Sequence, residues 1–273
     1  MFLGERMKVN IRLSLAAELI RVCKILTLVV FAFAVTASVA RTQTVDEIIA
    51  KNIQARGGLE KLKSVKSLRT TVKFSDGSFR AEFRQETKRP GKVREEFIVQ
   101  GMAQIQAYDG KIGWQISPFN GRKDPDLMSA DDMKSLIVDS DIDGPLVDYK
   151  EKGNTAELVG HDSMEGTDCY KIKLSMKNGD IRYYYLDTDS YLELKVEIQT
   201  TIRGALQESS MYYGDYEQVN GIYYPFAVEQ EQKGSSSRQQ FSVEKIEQNA
   251  DLNDSLFTMP ATKTEAKKPA AGK

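Results

Sequence analysis

From Lys66 onward the apolar positions recur at every second residue. Phe79, Ala81 and Phe83 alternate with Arg80, Glu82 and Arg84. Tyr170, Ile172, Leu174 and Met176 alternate with Lys171, Lys173, Ser175 and Lys177, and Leu192, Leu194, Val196 and Ile198 with Glu193, Lys195 and Glu197. Ile222, Tyr224, Phe226 and Val228 continue the pattern. A period of two gives antiparallel strands with one apolar and one wet face. Turn signals separate the runs: Asp76-Gly77, Asp109-Gly110, Asn178-Gly179, Asn220-Gly221 and Lys233-Gly234. About eleven strands are expected, mostly joined as a meander. Nine of the twelve tyrosines lie between Tyr183 and Tyr224, which suits strands.

Before Lys66 the period is helical. Thr44 and Glu47 have the capping-box spacing, Ile48, Ile49 and Ile53 follow on one face, and Gly57-Gly58 stops the helix. A second short helix is expected over Leu59–Val65. Ser129-Ala130-Asp131-Asp132 reads as another N-cap, leading into Met133, Leu136 and Ile137.

These helices are too few to cover a flat sheet of that size. The expected fold is therefore mainly β (α+β), a strongly curved antiparallel sheet of about eleven strands. Its apolar interior is either an open pocket for an apolar ligand or a filled core.

The first forty residues read as a signal peptide. Arg21 and Lys24 precede the apolar run Ile25–Ala37, and Ser38-Val39-Ala40 supplies small residues for cleavage. The alternative is an uncleaved N-terminal membrane anchor, against which the run is shorter than the ~20 apolar residues of a span. Met7 is an alternative start. The organisation expected is a signal peptide over 1–40, one domain over 44–260 and a disordered Lys/Ala/Pro/Glu tail over 261–273. Localisation is expected to be periplasmic.

Charge and composition narrow the chemistry. The chain of 273 residues has 38 Lys plus Arg against 39 Asp plus Glu, with no basic excess for nucleic acid. Cleavage would leave a net charge of −4 and Cys169 as the sole cysteine, so no internal disulfide is expected. One histidine excludes a three-His zinc site and HExxH. His161 and Cys169 read as a surface or half-buried imidazole and a small buried thiol, not a catalytic pair. Asp139-x-Asp141-x-Asp143-Gly144 matches half of a calcium loop, but Lys150 stands where the bidentate Glu belongs. No metal, cofactor or catalytic residue is assigned, and an enzyme is not expected.

Four short motifs occur in a telling order. They are Lys88-Arg89-Pro90 with Val93-Arg94; Asp109-Gly110-Lys111 before Trp114, with Pro118-Phe119 beyond; Asn220-Gly221-Ile222 with Tyr224-Pro225-Phe226; and Leu256-Phe257-Thr258-Met259-Pro260. After a signal peptide and an N-terminal helix, this order resembles the outer-membrane lipoprotein-sorting proteins of the LolA/LolB-like superfamily, in a divergent branch. The resemblance implies an unclosed eleven-stranded half-barrel lidded by helices, with a cavity for lipoprotein acyl chains. It also implies that Arg89 hydrogen-bonds lid backbone carbonyls in the closed state, and that Trp114 lies on a central strand beneath the lid, as cavity wall or core. Phe83, Phe97, Tyr183, Tyr185, Leu194 and Val196 are the further candidates for cavity wall, or else ordinary core. The function so implied is a periplasmic carrier or chaperone for acyl chains of lipoproteins or related lipids, working in outer-membrane biogenesis with a membrane-bound donor or acceptor. The alternative is a periplasmic sensor or protein-interaction module on the same fold, with a filled core.

Overall fold

A computed structural model describes residues 43–235 and 237–261. The expected signal segment and the tail from residue 262 lie outside the described residues. Three helices are described: α1 (Val45–Ala55), α2 (Leu59–Ser64) and α3 (Lys134–Asp139). Thirteen strands form one antiparallel sheet: β1 (Ser67–Asp76), β2 (Phe79–Lys88), β3 (Lys92–Val99), β4 (Met102–Tyr108), β5 (Gly113–Ser117), β6 (Arg122–Leu127), β7 (Thr155–Met164), β8 (Thr167–Ser175), β9 (Ile181–Asp187), β10 (Glu193–Ile202), β11 (Ala205–Val219), β12 (Ile222–Gln232) and β13 (Gln239–Gln248).

The strand order is β6-β5-β4-β3-β2-β1-β13-β12-β11-β10-β9-β8-β7. Two meanders, β1–β6 and β7–β13, are thus fused where the first strand pairs with the last, with Phe74 opposite Phe241 and Leu68 opposite Gln248. The outermost strands β6 and β7 do not pair, so the sheet stays open. The chain between them, residues 128–154, is a strap that carries α3 from one free edge to the other.

Both long helical contacts fall on one face of the sheet, the inner face. Ile48 and Ile49 of α1 pack with Leu146, Ile172, Leu174, Tyr184, Leu186 and Val196. Leu136 of α3 packs with Val93 and Met128. Leu62 and Val65 join Val147 and Ile222. The registers tie these residues together: Val196 is opposite Tyr184, Val228 opposite Phe241, and Thr87 opposite Val93.

Local sequence explains the helix ends. Thr44 and Glu47 cap each other reciprocally at the start of α1, which satisfies two otherwise orphan amides. At its far end a Cβ on Gly57 would lie 2.4 Å from the Gly221 carbonyl oxygen. Only glycine lets α1 come that close to the β11–β12 turn, where the Tyr223 amide donates to Arg56 O at 2.8 Å. Among the described residues no helix is long and apolar enough to cross a membrane.

Candidate functional site

Five phenylalanines from four strands converge on the inner face. The row Ala81, Phe74, Phe241, Val228, Tyr213 runs straight across β2, β1, β13, β12 and β11. Phe97, Phe83 and Val72 form a parallel row. Phe74 is the hub, with ring centroids 5.1 Å from Phe97, 5.0 Å from Phe241 and 6.0 Å from Phe79. The clusters that hold the helices to the sheet are built from other residues. Phe79 remains 44% exposed, and Phe83, Phe97 and Phe241 are half-buried. A clustered, accessible aromatic surface costs free energy in water at about 25 cal/mol per Å².

Next to this surface the inner face is polar. A cavity of about 140 Å³ is lined by Arg56, Arg182, Tyr184, Glu193, Tyr213 and Tyr216, with Leu146, Val196 and several neighbours. That is close to the ~150 Å³ that admits one benzene-sized molecule, so a whole acyl chain does not fit inside it. Arg182 Nε and the Tyr184 hydroxyl are buried without a hydrogen-bond partner. Burial pushes the Glu193 carboxyl up, against the opposing charges of Arg56 and Arg182.

Two more carboxyl groups belong to this polar region. Glu95 shares the inner face with Phe97, and Asp139 ends α3. Glu95 is pushed up to about 8 by burial and then by the charge of Asp139, while an amide hydrogen bond from Gln85 at 2.9 Å opposes the shift. Asp139 keeps an accessible surface, yet desolvation by the surrounding protein raises it to about 6, opposed by Arg182.

Arg89 organises the end of the sheet beneath α2. Its Nε donates to Val65 O at 2.8 Å and its Nη2 to Leu62 O at 3.3 Å. Its fork also grips Asp143 of the strap, at 2.9 and 2.5 Å. Lys63 adds a third contact to Asp143 at 2.7 Å. The Asp143 side chain is only 2% exposed. Burial raises its carboxyl, but Arg89 and Lys63 outweigh burial and hold it below the usual range. One guanidinium thus joins β2, α2 and the strap.

Further along the strap Asp141 is bonded to Lys152 and Asp148 to Lys63. Among the described residues no cluster of His, Cys, Asp or Glu is arranged to hold a metal. Cys169 is buried and donates to Asp162 O, while His161 packs on the Tyr170 ring, so the two do not pair.

The remaining candidates separate by face. Phe83 and Phe97 lie in the inner aromatic rows, and Val196 lines the polar cavity. Trp114 does not lie beneath the lid. It shares the outer face with Arg94 and Ala107, on β5, one strand from a free edge. There it is fully buried, donates to Phe257 O at 2.7 Å and faces the Arg94 guanidinium at 5.6 Å. Its partner is the C-terminal segment, not a cavity.

Tyr183 and Tyr185 also point outward, because the register sets Val196 opposite Tyr184. The Lys171 and Lys195 ammonium groups lie over the Tyr185 ring at 4.7 and 5.2 Å, and Lys171 over Tyr183 at 5.5 Å. Leu194 falls at a bulge between Glu193 and Lys195. The bulge breaks the expected alternation and turns Glu193, not Leu194, toward the cavity. Arg182, Glu193 and Glu95 carried no sequence signal, since a charge within a strand reads as solvent-facing.

A family model described as "-like: Uncharacterized protein" matches residues 124–263. No curated protein matches the sequence. Among solved structures, a LolA superfamily protein from Nitrosomonas europaea is similar at 13% identity and a TM-score of 0.55, covering 80% of this chain and 98% of that one. A DUF1329 family protein from Desulfovibrio piger is similar at 13% identity and a TM-score of 0.54, with the same coverage. A putative outer membrane lipoprotein-sorting protein domain from Vibrio parahaemolyticus has 14% identity and a TM-score of 0.52, covering 77% and 94%. The open sheet has the LolA-superfamily fold, with thirteen strands where about eleven were expected.

Proposed function

The chain belongs to the family of uncharacterized proteins whose pattern spans its residues 124–263, and from that premise and its fold we propose that it is a periplasmic carrier shielding acyl chains of lipoproteins or related lipids. The observation that carries this reading is the accessible inner-face surface of Phe79, Phe83, Phe97 and Phe241, packed around the buried Phe74. A long acyl chain in water costs on the order of 10 kcal/mol, at ~0.8 kcal/mol per CH₂. A curved aromatic surface offsets that cost.

The polar cavity is too small for the whole chain, so loading places the tail along the phenylalanines, under the strap. Loading and release then require the strap to move, which is a shift between two states of similar free energy. The similarity to the Vibrio lipoprotein-sorting domain supports a lipoprotein cargo. The basic-apolar-small pattern of residues 21–40 supports export to the periplasm. The work is that of a non-enzymatic chaperone, exchanging cargo with a membrane-bound donor or acceptor.

A second reading, a sensor or interaction module, is favoured by one observation. The β8–β10 part of the inner face is filled by Ile48 and Ile49 of α1. Native mass spectrometry of the protein purified from the periplasm separates the two readings. Co-purifying lipid or lipoprotein is expected. Bare protein that takes up no fluorescent fatty acid would leave the module reading standing and remove the carrier.

A further inference from the structure

Arg182 is an unusual residue to leave alone. It lies on the inner face of β9, opposite Leu174 and Ile198, both of which contact the α1 core. Its Nε is buried and has no hydrogen-bond partner, and the hydroxyl of Tyr184, two residues on, is in the same condition. Both side chains line the 140 Å³ cavity, as does Arg56. The Tyr184 side chain acts on Arg182 at close range, and Asp139 and Glu193 act on it through space; neither carboxylate makes an ion pair or hydrogen bond with it. A buried N–H left without an acceptor is unfavourable. An incoming acceptor recovers that cost, and a carboxylate does so best because its two oxygens match the guanidinium fork.

The surroundings define the rest of the ligand. Tyr213, on the cavity wall, is opposite Val228, which is opposite Phe241, which packs on Phe74. Only β12 and β13 separate the cavity wall at Tyr213 from Phe74 of the aromatic row. The cavity is large enough for a head group and too small for a tail.

We propose that Arg182 and Tyr184 form a head-group site for the carboxylate of a single-chain fatty acid, whose tail lies along Val228, Phe241 and Phe74. This rests on the carrier reading and narrows it to an acid. Arg56 supplies the second cation of the cavity. Its Nη1 is bonded to Asp143 O at 3.2 Å, which anchors it to the strap.

The test compares cis-parinaric acid with its methyl ester, titrated into the delipidated full-length protein. The wild type should bind the acid roughly 10- to 100-fold more tightly, the worth of a buried charge-assisted hydrogen bond. Arg182→Met should abolish that preference and leave ester binding unchanged. Tyr184→Phe keeps the ring and removes only the hydroxyl, so it serves if Arg182→Met folds poorly; it should reduce the preference several-fold. Equal binding of acid and ester by the wild type, or equal losses for both in the variants, overturns the head-group site and leaves the carrier intact. Binding of neither probe overturns both.

Discussion

Arg203, at the tip of the β10–β11 hairpin, holds both carboxylate oxygens of Asp132 at 2.8 Å. Its amide also donates to Asp131 at 2.9 Å, and Lys134 donates to Thr201 O at 2.6 Å. The hairpin and the strap are thereby clasped. The Arg203 side chain is 72% exposed, so the clasp contributes less than about 1 kcal/mol. That is weak enough to open often. Arg203→Ala should leave thermal stability nearly unchanged and speed the uptake of a fluorescent fatty acid. Stopped-flow uptake rates check this, and raised salt should mimic the variant. Identical rates in variant and wild type would remove the clasp from the loading step.

Arg89→Leu should be far more costly. It leaves the buried Asp143 carboxylate with Lys63 alone and removes a donor from the Leu62 and Val65 carbonyls at the end of α2. A loss of roughly 2–4 kcal/mol is expected, read by chemical denaturation. The depressed Asp143 group contributes stability above the unfolded carboxylate range of about 3.9, and that contribution is lost as pH falls through the lower folded value. The wild type should weaken in acid, and the variant should show a shallower acid dependence. Arg89→Leu should still bind cargo but transfer it poorly to an acceptor.

Glu95 acts in the opposite direction. Its folded value of about 8 lies above the unfolded value of about 4.3. The folded state therefore holds an extra proton between those values, and stability falls as pH rises through the folded one. Glu95→Gln keeps an acceptor for Gln85 and removes the titration. It should equal the wild type near pH 4 and exceed it at pH 9 by several kcal/mol, ~5 at most. Thermal melts across that range check the divergence.

Phe83→Ser and Phe97→Ser should each weaken acyl-probe binding, by about tenfold or more, since each deletes a wall of the aromatic row. Both rings are half-buried, so the stability cost should stay below the 3–5 kcal/mol typical of a core phenylalanine. Equilibrium titration beside denaturation separates the two effects.

Trp114 offers the converse. It is the chain's only tryptophan and lies on the outer face against Phe257. Trp114→Ala should destabilise by about 3–5 kcal/mol while probe affinity in the folded fraction is retained. For the same reason ligand binding should leave the intrinsic tryptophan emission unshifted.

Much of the sheet was legible because strict alternation has one reading. Ile172 and Leu174 face inward as their spacing demands, and Thr44 with Glu47 caps α1. Three consecutive tyrosines defeat that logic, since alternation admits either Tyr184 or the Tyr183/Tyr185 pair inside; only pairing with Val196 decides. A one-residue bulge before Lys195 moved Glu193 inward with nothing in the local composition to announce it. The short strands β5 and β6 offer few alternating positions, which accounts for the higher strand count. The site itself was half legible. Arg89 stood out through its neighbours, whereas Arg182 and Glu95 are charges on an apolar face, the reverse of what patterning assumes.

The pairing of Ser67–Asp76 with Gln239–Gln248 also governs the order of assembly. Neither meander can be sewn to the other until the ribosome has delivered residue 248, so the seam forms last and through contacts of very high sequence separation. Until then both halves present an unsatisfied strand margin and bare phenylalanines. A newly made chain is therefore most in need of protection from sticking to its neighbours just before the seam closes.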